Sequence, residues 1–318
     1  MTSASGKNWR GPAPTRPSFP ATCFLSARFL AFPLAVTLAT VSLNITRLRA
    51  EDTPELSRQA AAAMRAQRFA EAEASYRRLV ELEPGNPMWR MNLGLALYSA
   101  GRHAHAVPEF EAFLRANPEA GPVHLLLGTS LLKLGRPCPA IAILEKAVQW
   151  NHDRSILELA DAYYGCKRFE RAARTYEAAA RSSRDRAVAR QAAHCYWQAR
   201  LYPDARRIFR TLELECANEP EFQYEFGDTL VRMDGPEAGL PYLQKAVAAK
   251  PGLIAARGEL GKALLAIGDA AGAIPHLEAA SPHDAALLLP LSRAYRGAGR
   301  EADAERAQEE YRRRIREK

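Results

Sequence analysis

The residues able to do chemistry are few. Cys138, Cys166, Cys195 and Cys216 stand in the body of the chain, and Cys23 lies near the start. Four thiols outside the N-terminal segment are an even number, which suits an oxidising compartment. His103 and His105 are two apart, and on a helix two such rings diverge, so neither they nor their neighbours have metal-ligand spacing. The isolated His124, His152, His194, His276 and His283 read as surface or groove residues. There is no glycine-rich phosphate loop and no G-x-S-x-G nucleophile turn. Catalytic residues, metal ligands and cofactors are therefore not expected. What remains is a set of aromatic rings and charges whose meaning depends on the elements that carry them.

Those elements are repeats. Between Pro87 and Ala120 the order is Leu93-Gly94, Leu97-Tyr98, Gly101, Ala106, Phe110 and Pro118. Gly94 permits close helix approach, Gly101 ends a helix without a Cβ penalty, Ala106 is small enough for a crossing point, and Pro118 stops the second helix. A first unit from about Thr53 to Asn86 carries Ala60, Ala72, Tyr76 and Pro84 at the same places. Later units show Leu127-Gly128, Leu159-Ala160, Ala192-Ala193, Phe226-Gly227, Leu260-Gly261 and Leu291-Ser292. The last one breaks the pattern at Gln308, as a solvated final helix should. Pro108, Pro241 and Pro275 each follow the small crossing residue by two and are expected in the first turn of a second helix, where backbone donors lack intrahelical partners.

This spacing resembles the tetratricopeptide repeat family, whose unit of about 34 residues reads L-G-x2-Y, A-x3-F, P. The resemblance covers roughly Thr53 to Tyr311. It implies an all-α fold, a right-handed superhelical solenoid of about eight stacked helix hairpins with a C-terminal capping helix, and a concave groove lined by the first helix of each repeat. The groove positions expected to meet a partner are Tyr98, Asp161, Tyr164, Arg190, His194, Trp197, Tyr224, Asp228 and Arg232. Aromatic and arginine residues on one face are typical binding anchors. Tyr98, Tyr164 and Trp197 share one repeat position, which could equally pack against the next repeat, and the charges could equally be a solvated face of pairwise-screened ions. Some members of the family grip a chaperone's C-terminal carboxylate with Lys and Asn. Here Ser57, Ala61, Asn92, Pro122 and Leu126 occupy those places, so only Asn92 fits and that activity is not expected. In the repeat register Cys138 opens one helix and Cys166 closes another near the same edge, which makes a disulfide between them the sharpest structural expectation.

The formal charge of +8 is concentrated at the N-terminus: Lys7, Arg10, Arg16, Arg28, Arg47 and Arg49 stand in the first fifty residues with no acidic residue. The rest is nearly neutral, giving little electrostatic reason to expect nucleic acid. Residues 1–50 also carry an apolar run from Phe29 to Leu43 and a small residue, Ala50, before Glu51-Asp52. Two readings are open, a cleaved signal peptide or an N-terminal membrane anchor, with residues 51–318 as the solenoid. The function expected is a non-catalytic, exported scaffold that holds protein or peptide segments in its groove, in cell-envelope assembly or trafficking. Its rivals are a membrane-anchored assembly factor and a module whose rings stack on carbohydrate or peptidoglycan.

Overall fold

The computed structural model describes residues 53–150 and 152–317, so the expected leader over 1–50 lies outside the described residues. The chain divides into two units, Met1–Glu55 and Leu56–Lys318, and the second carries a stack of helix hairpins. Among the described residues all regular structure is helical, in eight hairpins. They are α1 (53–65) with α2 (Phe69–Leu82), α3 (Pro87–Ser99) with α4 (His103–Ala116), α5 (Gly121–Lys133) with α6 (Pro137–Trp150), and α7 (His152–Gly165) with α8 (Phe169–Ser183). Then come α9 (Arg186–Gln198) with α10 (Tyr202–Leu212), α11 (Pro220–Asp234) with α12 (Pro236–Ala249), and α13 (Ile254–Ala266) with α14 (Ala270–Ala280). A single 3-10 turn, Ala285–Leu287, precedes α15 (Leu288–Gly297) and α16 (Glu301–Arg316). Among the described residues no helix is long and apolar enough to cross a membrane.

The small residues decide how close the two helices of a hairpin come. Gly94 lies under Phe110, Gly128 under Leu144, Gly227 under Leu243 and Gly261 under Leu277, the same spacing in four hairpins. A Cβ on Gly128 would sit 2.4 Å from Leu144 Cδ2, inside any real contact distance. Ala60, Ala160 and Ala193 hold the equivalent place and are fully buried. In the last hairpin the place belongs to Ser292, whose hydroxyl donates to the Ala304 carbonyl at 3.0 Å and so is not left unpaired. From α2 onward each helix packs on the next in the chain, and first helices also touch first helices, α3 with α5, α5 with α7, α9 with α11, α11 with α13 and α13 with α15. The first helices thus lie side by side along one face.

The turn between the helices of a hairpin needs a left-handed residue. Gly101, Gly135, Gly268 and Gly299 supply it at φ between 67° and 89°, while Gln67, Lys167 and Arg200 adopt it at φ 57–60° despite their side chains. Sequence patterning marks the glycines and misses the other three, where the turn is closed by paired backbone hydrogen bonds at the helix end, such as Gln67 N–H to the Met64 carbonyl and Arg68 N–H to the Ala63 carbonyl. The prolines sit deeper than expected. Pro108, Pro241 and Pro275 are each the sixth residue of their helix, beyond the four orphan donors, and each removes one intrahelical hydrogen bond. The second helices simply begin earlier than the repeat pattern suggests. His124 also departs from expectation: it is buried, with Nδ1 3.1 Å from the Ala120 carbonyl, because the first turn of α5 gives its ring a backbone partner in place of water.

Successive hairpins are latched by phenols. Tyr163 donates to Glu145 at 2.6 Å, Tyr196 to Glu177 at 2.7 Å and Tyr295 to Glu278 at 2.6 Å, each from a first helix to the second helix of the preceding hairpin. Burial raises these phenols above the ordinary tyrosine value and the facing carboxylate raises them further, that of Tyr295 to about 12.

Two outcomes follow from this packing. Gly239→Ala places a Cβ 2.3 Å from the Gly227 carbonyl and 2.5 Å from Val231 Cγ2, whereas Gly252→Ala meets nothing within 4 Å. Urea unfolding should show a loss of about 2–3 kcal/mol for the first and little change for the second. Because the folded phenols keep their protons where the unfolded ones lose them, the stability they contribute is complete below about pH 10 and is lost as pH rises towards 12 and beyond. The urea midpoint should fall across that window, and fall less steeply in a Tyr163→Phe/Tyr196→Phe/Tyr295→Phe variant. Identical slopes in the two proteins would remove the latch.

Candidate functional site

Three neighbouring first helices, α7, α9 and α11, carry most of the residues singled out by type and spacing. Tyr164, His194, Trp197 and Tyr224 form one row of rings. Their centroids are separated by 5.8 Å between Tyr164 and His194, 5.9 Å between His194 and Trp197, and 5.5 Å between Trp197 and Tyr224, the last pair edge-on at 77°. Tyr164 is 38% exposed, and the other three are half-buried. Tyr164 stands at the row's open end, with Phe169 packed edge-on against it at 5.7 Å.

A polar chain runs beside the rings. Tyr164 Oη lies 3.2 Å from His194 Nε2, and His194 Nδ1 faces Glu225 Oε1 at 2.8 Å. A carboxylate accepts, so Nδ1 carries a proton, and the Tyr164 hydroxyl can act as donor or acceptor towards Nε2. The other oxygen of Glu225 accepts from Arg190 Nη1 at 2.7 Å, while the Arg190 guanidinium stands 5.5 Å from the Phe222 ring centroid and 5.8 Å from that of Phe209. Trp197 Nε1 donates to Asp228 Oδ2 at 2.7 Å, and Arg232 Nε donates to the two Asp228 oxygens at 3.0 and 3.1 Å. Burial would lower the Arg232 guanidinium, but the bond to Asp228 and its charge outweigh that and hold it above the usual arginine value. The Tyr224 phenol is pushed well above the ordinary range, first by burial and then by the carboxylates of Asp228, Glu259 and Glu225.

The structure separates the expected site residues into groups. Tyr164, His194, Trp197 and Tyr224 meet in the row. Asp228, expected in an open groove, is only 2% exposed, with its oxygens committed to Trp197 and Arg232. An indole N–H half-buried between helices needs an acceptor, and Asp228 is the one within reach. Arg190 is likewise drawn inward by Glu225 and two phenylalanine rings, leaving Arg232 as the exposed cation of this group. Asp161 is exposed on α7 and accepts a hydrogen bond from Tyr176, whose phenol is raised by burial and then by that contact. Tyr98 stands apart on α3, edge-on to His103 at 5.2 Å. Glu225, the node of the polar chain, is absent from the expected set. Its only signal is spacing: the linked pairs Tyr164–His194, His194–Glu225 and Trp197–Asp228 are 30 or 31 residues apart, slightly less than one repeat.

At the row's N-terminal side Cys138, the second residue of α6, is joined to Cys166, which follows α7, with Sγ–Sγ 2.04 Å and Cα–Cα 5.0 Å. Cys166 is two residues beyond Tyr164. Cys195 and Cys216 are buried free thiols. Burial, with the carboxylates of Glu225 and Asp161, pushes the Cys195 thiol up to about 12, and burial with Glu219 raises Cys216, so neither is a reactive thiolate. Among the described residues no group of three or more His, Cys, Asp or Glu could hold a metal ion.

Stacked hairpins with small residues at the helix crossings and a lane of side chains along the first helices define a helical-repeat protein of the solenoid class. The tetratricopeptide repeat profile matches residues 57–120, 100–153 and 224–285, together half of the chain, and the chain belongs to that family. Two curated relatives match shorter stretches. The TPR repeat-containing thioredoxin TTL4 of Arabidopsis thaliana is 35% identical over 94 residues, 29% of this chain and 14% of that protein. Small glutamine-rich tetratricopeptide repeat-containing protein 2 of Mycosarcoma maydis is 26% identical over 96 residues, 30% of this chain and 27% of that protein. The chain thus spans well under a third of either relative's length. Among solved structures, a tetratricopeptide repeat protein from Parabacteroides merdae aligns with 77% of this chain and 99% of its own at 15% identity and a TM-score of 0.45.

The bridge has a direct readout. Alkylation of unfolded, unreduced protein should leave Cys138 and Cys166 unlabelled, and reduction should expose both. Replacing the pair by serine removes a cross-link spanning 28 residues and should lower stability by about 3 kcal/mol. Labelling of all four thiols of residues 51–318 without reductant would show that the bridge does not form.

Proposed function

We propose that the protein is an exported, non-catalytic scaffold that holds an extended polypeptide segment of a partner along its first helices, in assembly or trafficking at the cell envelope. The observation that carries this reading is the row Tyr164–His194–Trp197–Tyr224, in which three successive first helices present rings along one lane while the charges beside them are paired with each other. Rings held in place by Glu225 and Asp228 lose little side-chain freedom on binding, which favours their use as anchors. Internal pairing of Arg190, Glu225, Asp228 and Arg232 leaves contact area, with little fixed charge, at the centre of the lane. Membership of a family built for protein contacts supports the same reading. Export is supported by the apolar run Phe29–Leu43 behind a basic segment and by the paired cysteines, which suit an oxidising compartment.

The test is a crosslinking pull-down with the full chain against a native envelope fraction, beside a Tyr164→Ala/Trp197→Ala/Tyr224→Ala variant checked for helical content. A protein captured by the parent and bound at least about tenfold more weakly by the variant is the expected result. Equal capture moves the binding surface away from the ring row, and retention on peptidoglycan alone makes the rings a carbohydrate platform. The intact mass decides the leader: a chain beginning at Glu51 is cleaved, and a full-length one is anchored.

A further inference from the structure

At the C-terminal end of the first-helix face the stack changes. The 3-10 turn Ala285–Leu287 leads into α15, which has only ten residues, and Leu287 lies close against Gly258 of α13, where a Cβ would come within 2.9 Å of Leu287 Cδ1. Between α13 and this shortened element lies an open cleft of about 590 Å³, floored by Leu265, Leu287 and Pro290 and rimmed by Lys262, Asp284 and Arg293. The rim charges differ in how they are committed. Asp284 accepts from the backbone N–H of Ala286 at 2.9 Å, capping the turn, and Lys262 is held by Glu259 at 2.5 Å. Arg293 is exposed and, among the described residues, has no ion-pair or hydrogen-bond partner. Arg296, one turn further along α15, pairs with the exposed Glu301 at 3.3 Å. At the centre of the lane, by contrast, Arg190 and Arg232 are bound to Glu225 and Asp228.

We infer that this cleft is a second anchoring site of the partner-binding lane and takes a polypeptide residue pair, an apolar side chain on the Leu265–Leu287–Pro290 floor and an adjacent aspartate or glutamate carboxylate on Arg293. The inference rests on the groove reading above and adds the polarity of the partner: its segment meets the ring row at one end and the uncommitted cation at the other. The fit is one of charge and shape. An unpaired guanidinium over an apolar floor attracts a carboxylate in its fork geometry, and an apolar neighbour fills the space beneath. A lysine or arginine in the acidic residue's place would meet Arg293, whose charge has no acidic partner among the described residues, and would be repelled.

The experiment selects phage-displayed random dodecapeptides on the full chain and measures synthetic versions of the enriched peptides by fluorescence anisotropy on the parent, Arg293→Glu and Trp197→Ala. Arg293 is exposed and unpartnered, so its substitution should leave the thermal unfolding curve unchanged. The expected result is enrichment of Asp or Glu beside Leu, Ile, Met or Phe, a loss of about tenfold in affinity on Arg293→Glu, and recovery when the peptide's acidic residue becomes Lys. Enriched peptides without an acidic bias, or indifferent to Arg293→Glu, overturn the cleft. Peptides that fail on Trp197→Ala yet tolerate Arg293→Glu leave the groove reading standing without this site. Failure on Arg293→Glu alone keeps the site and removes the ring row. Displacement of every peptide by inorganic phosphate reduces the cleft to a simple anion site and overturns the proposal, and no enrichment of any peptide ends both readings.

Discussion

The structure depends on one close approach, the point in each hairpin where the backbone of the first helix meets a bulky side chain of the second. Gly94 against Phe110, Gly128 against Leu144 and Gly261 against Leu277 leave no room for a Cβ, Gly227 meets Leu243 at the edge of contact, and alanine or serine holds the equivalent place in the other hairpins. Because every hairpin closes on a small residue, each buries apolar side chains between its own two helices and also against the neighbouring hairpins. The buried residues form two clusters, one from Ala60 to Leu230 and one from Leu243 to Ala307. The sixth hairpin joins them: Tyr242 of α12 packs on the first cluster, and Tyr224 and Val231 of α11 pack on the second.

Packing of this kind fixes the first helices side by side and so decides what their outward residues can do. The gap between α9 and α11 is narrow enough for Trp197 to reach Asp228 and for His194 and Arg190 to reach Glu225. Each buried carboxylate thereby gains two donors, which offsets the loss of water, and removing one partner from a pair such as Arg190–Glu225 would leave a buried charge uncompensated. The network spends charge to hold rings. The cleft at α13 and α15 is the complementary case, where a short helix and a 3-10 turn leave apolar surface and one arginine uncommitted.

Much of the architecture is legible in the residues because it rests on local rules. Small residues at crossings, glycine at left-handed turns and proline near helix starts recur at a constant interval, and the family follows from that recurrence. The exceptions have physical causes. Gln67, Lys167 and Arg200 take left-handed backbone at helix ends closed by paired backbone hydrogen bonds, which any side chain permits. Pro108, Pro241 and Pro275 sit one turn deeper because their helices begin earlier than the pattern implies. His124 is inside because a backbone carbonyl partners it there.

The sequence by itself determined the all-helical repeat stack, the family and the helix faces on which Tyr164, His194, Trp197 and Tyr224 lie, since these depend on periodicity within a single repeat. Only the tertiary structure decided which of those faces' charges are free. Asp228 and Arg190 disappear into pairs, Glu225 emerges as the node linking Tyr164 and Arg190 through His194, and Arg293 is left unpaired over an apolar cleft. The reason is that a salt bridge or hydrogen bond between repeats depends on ångström-scale separations of residues some thirty positions apart, and the repeat pattern specifies the helix face without specifying that distance.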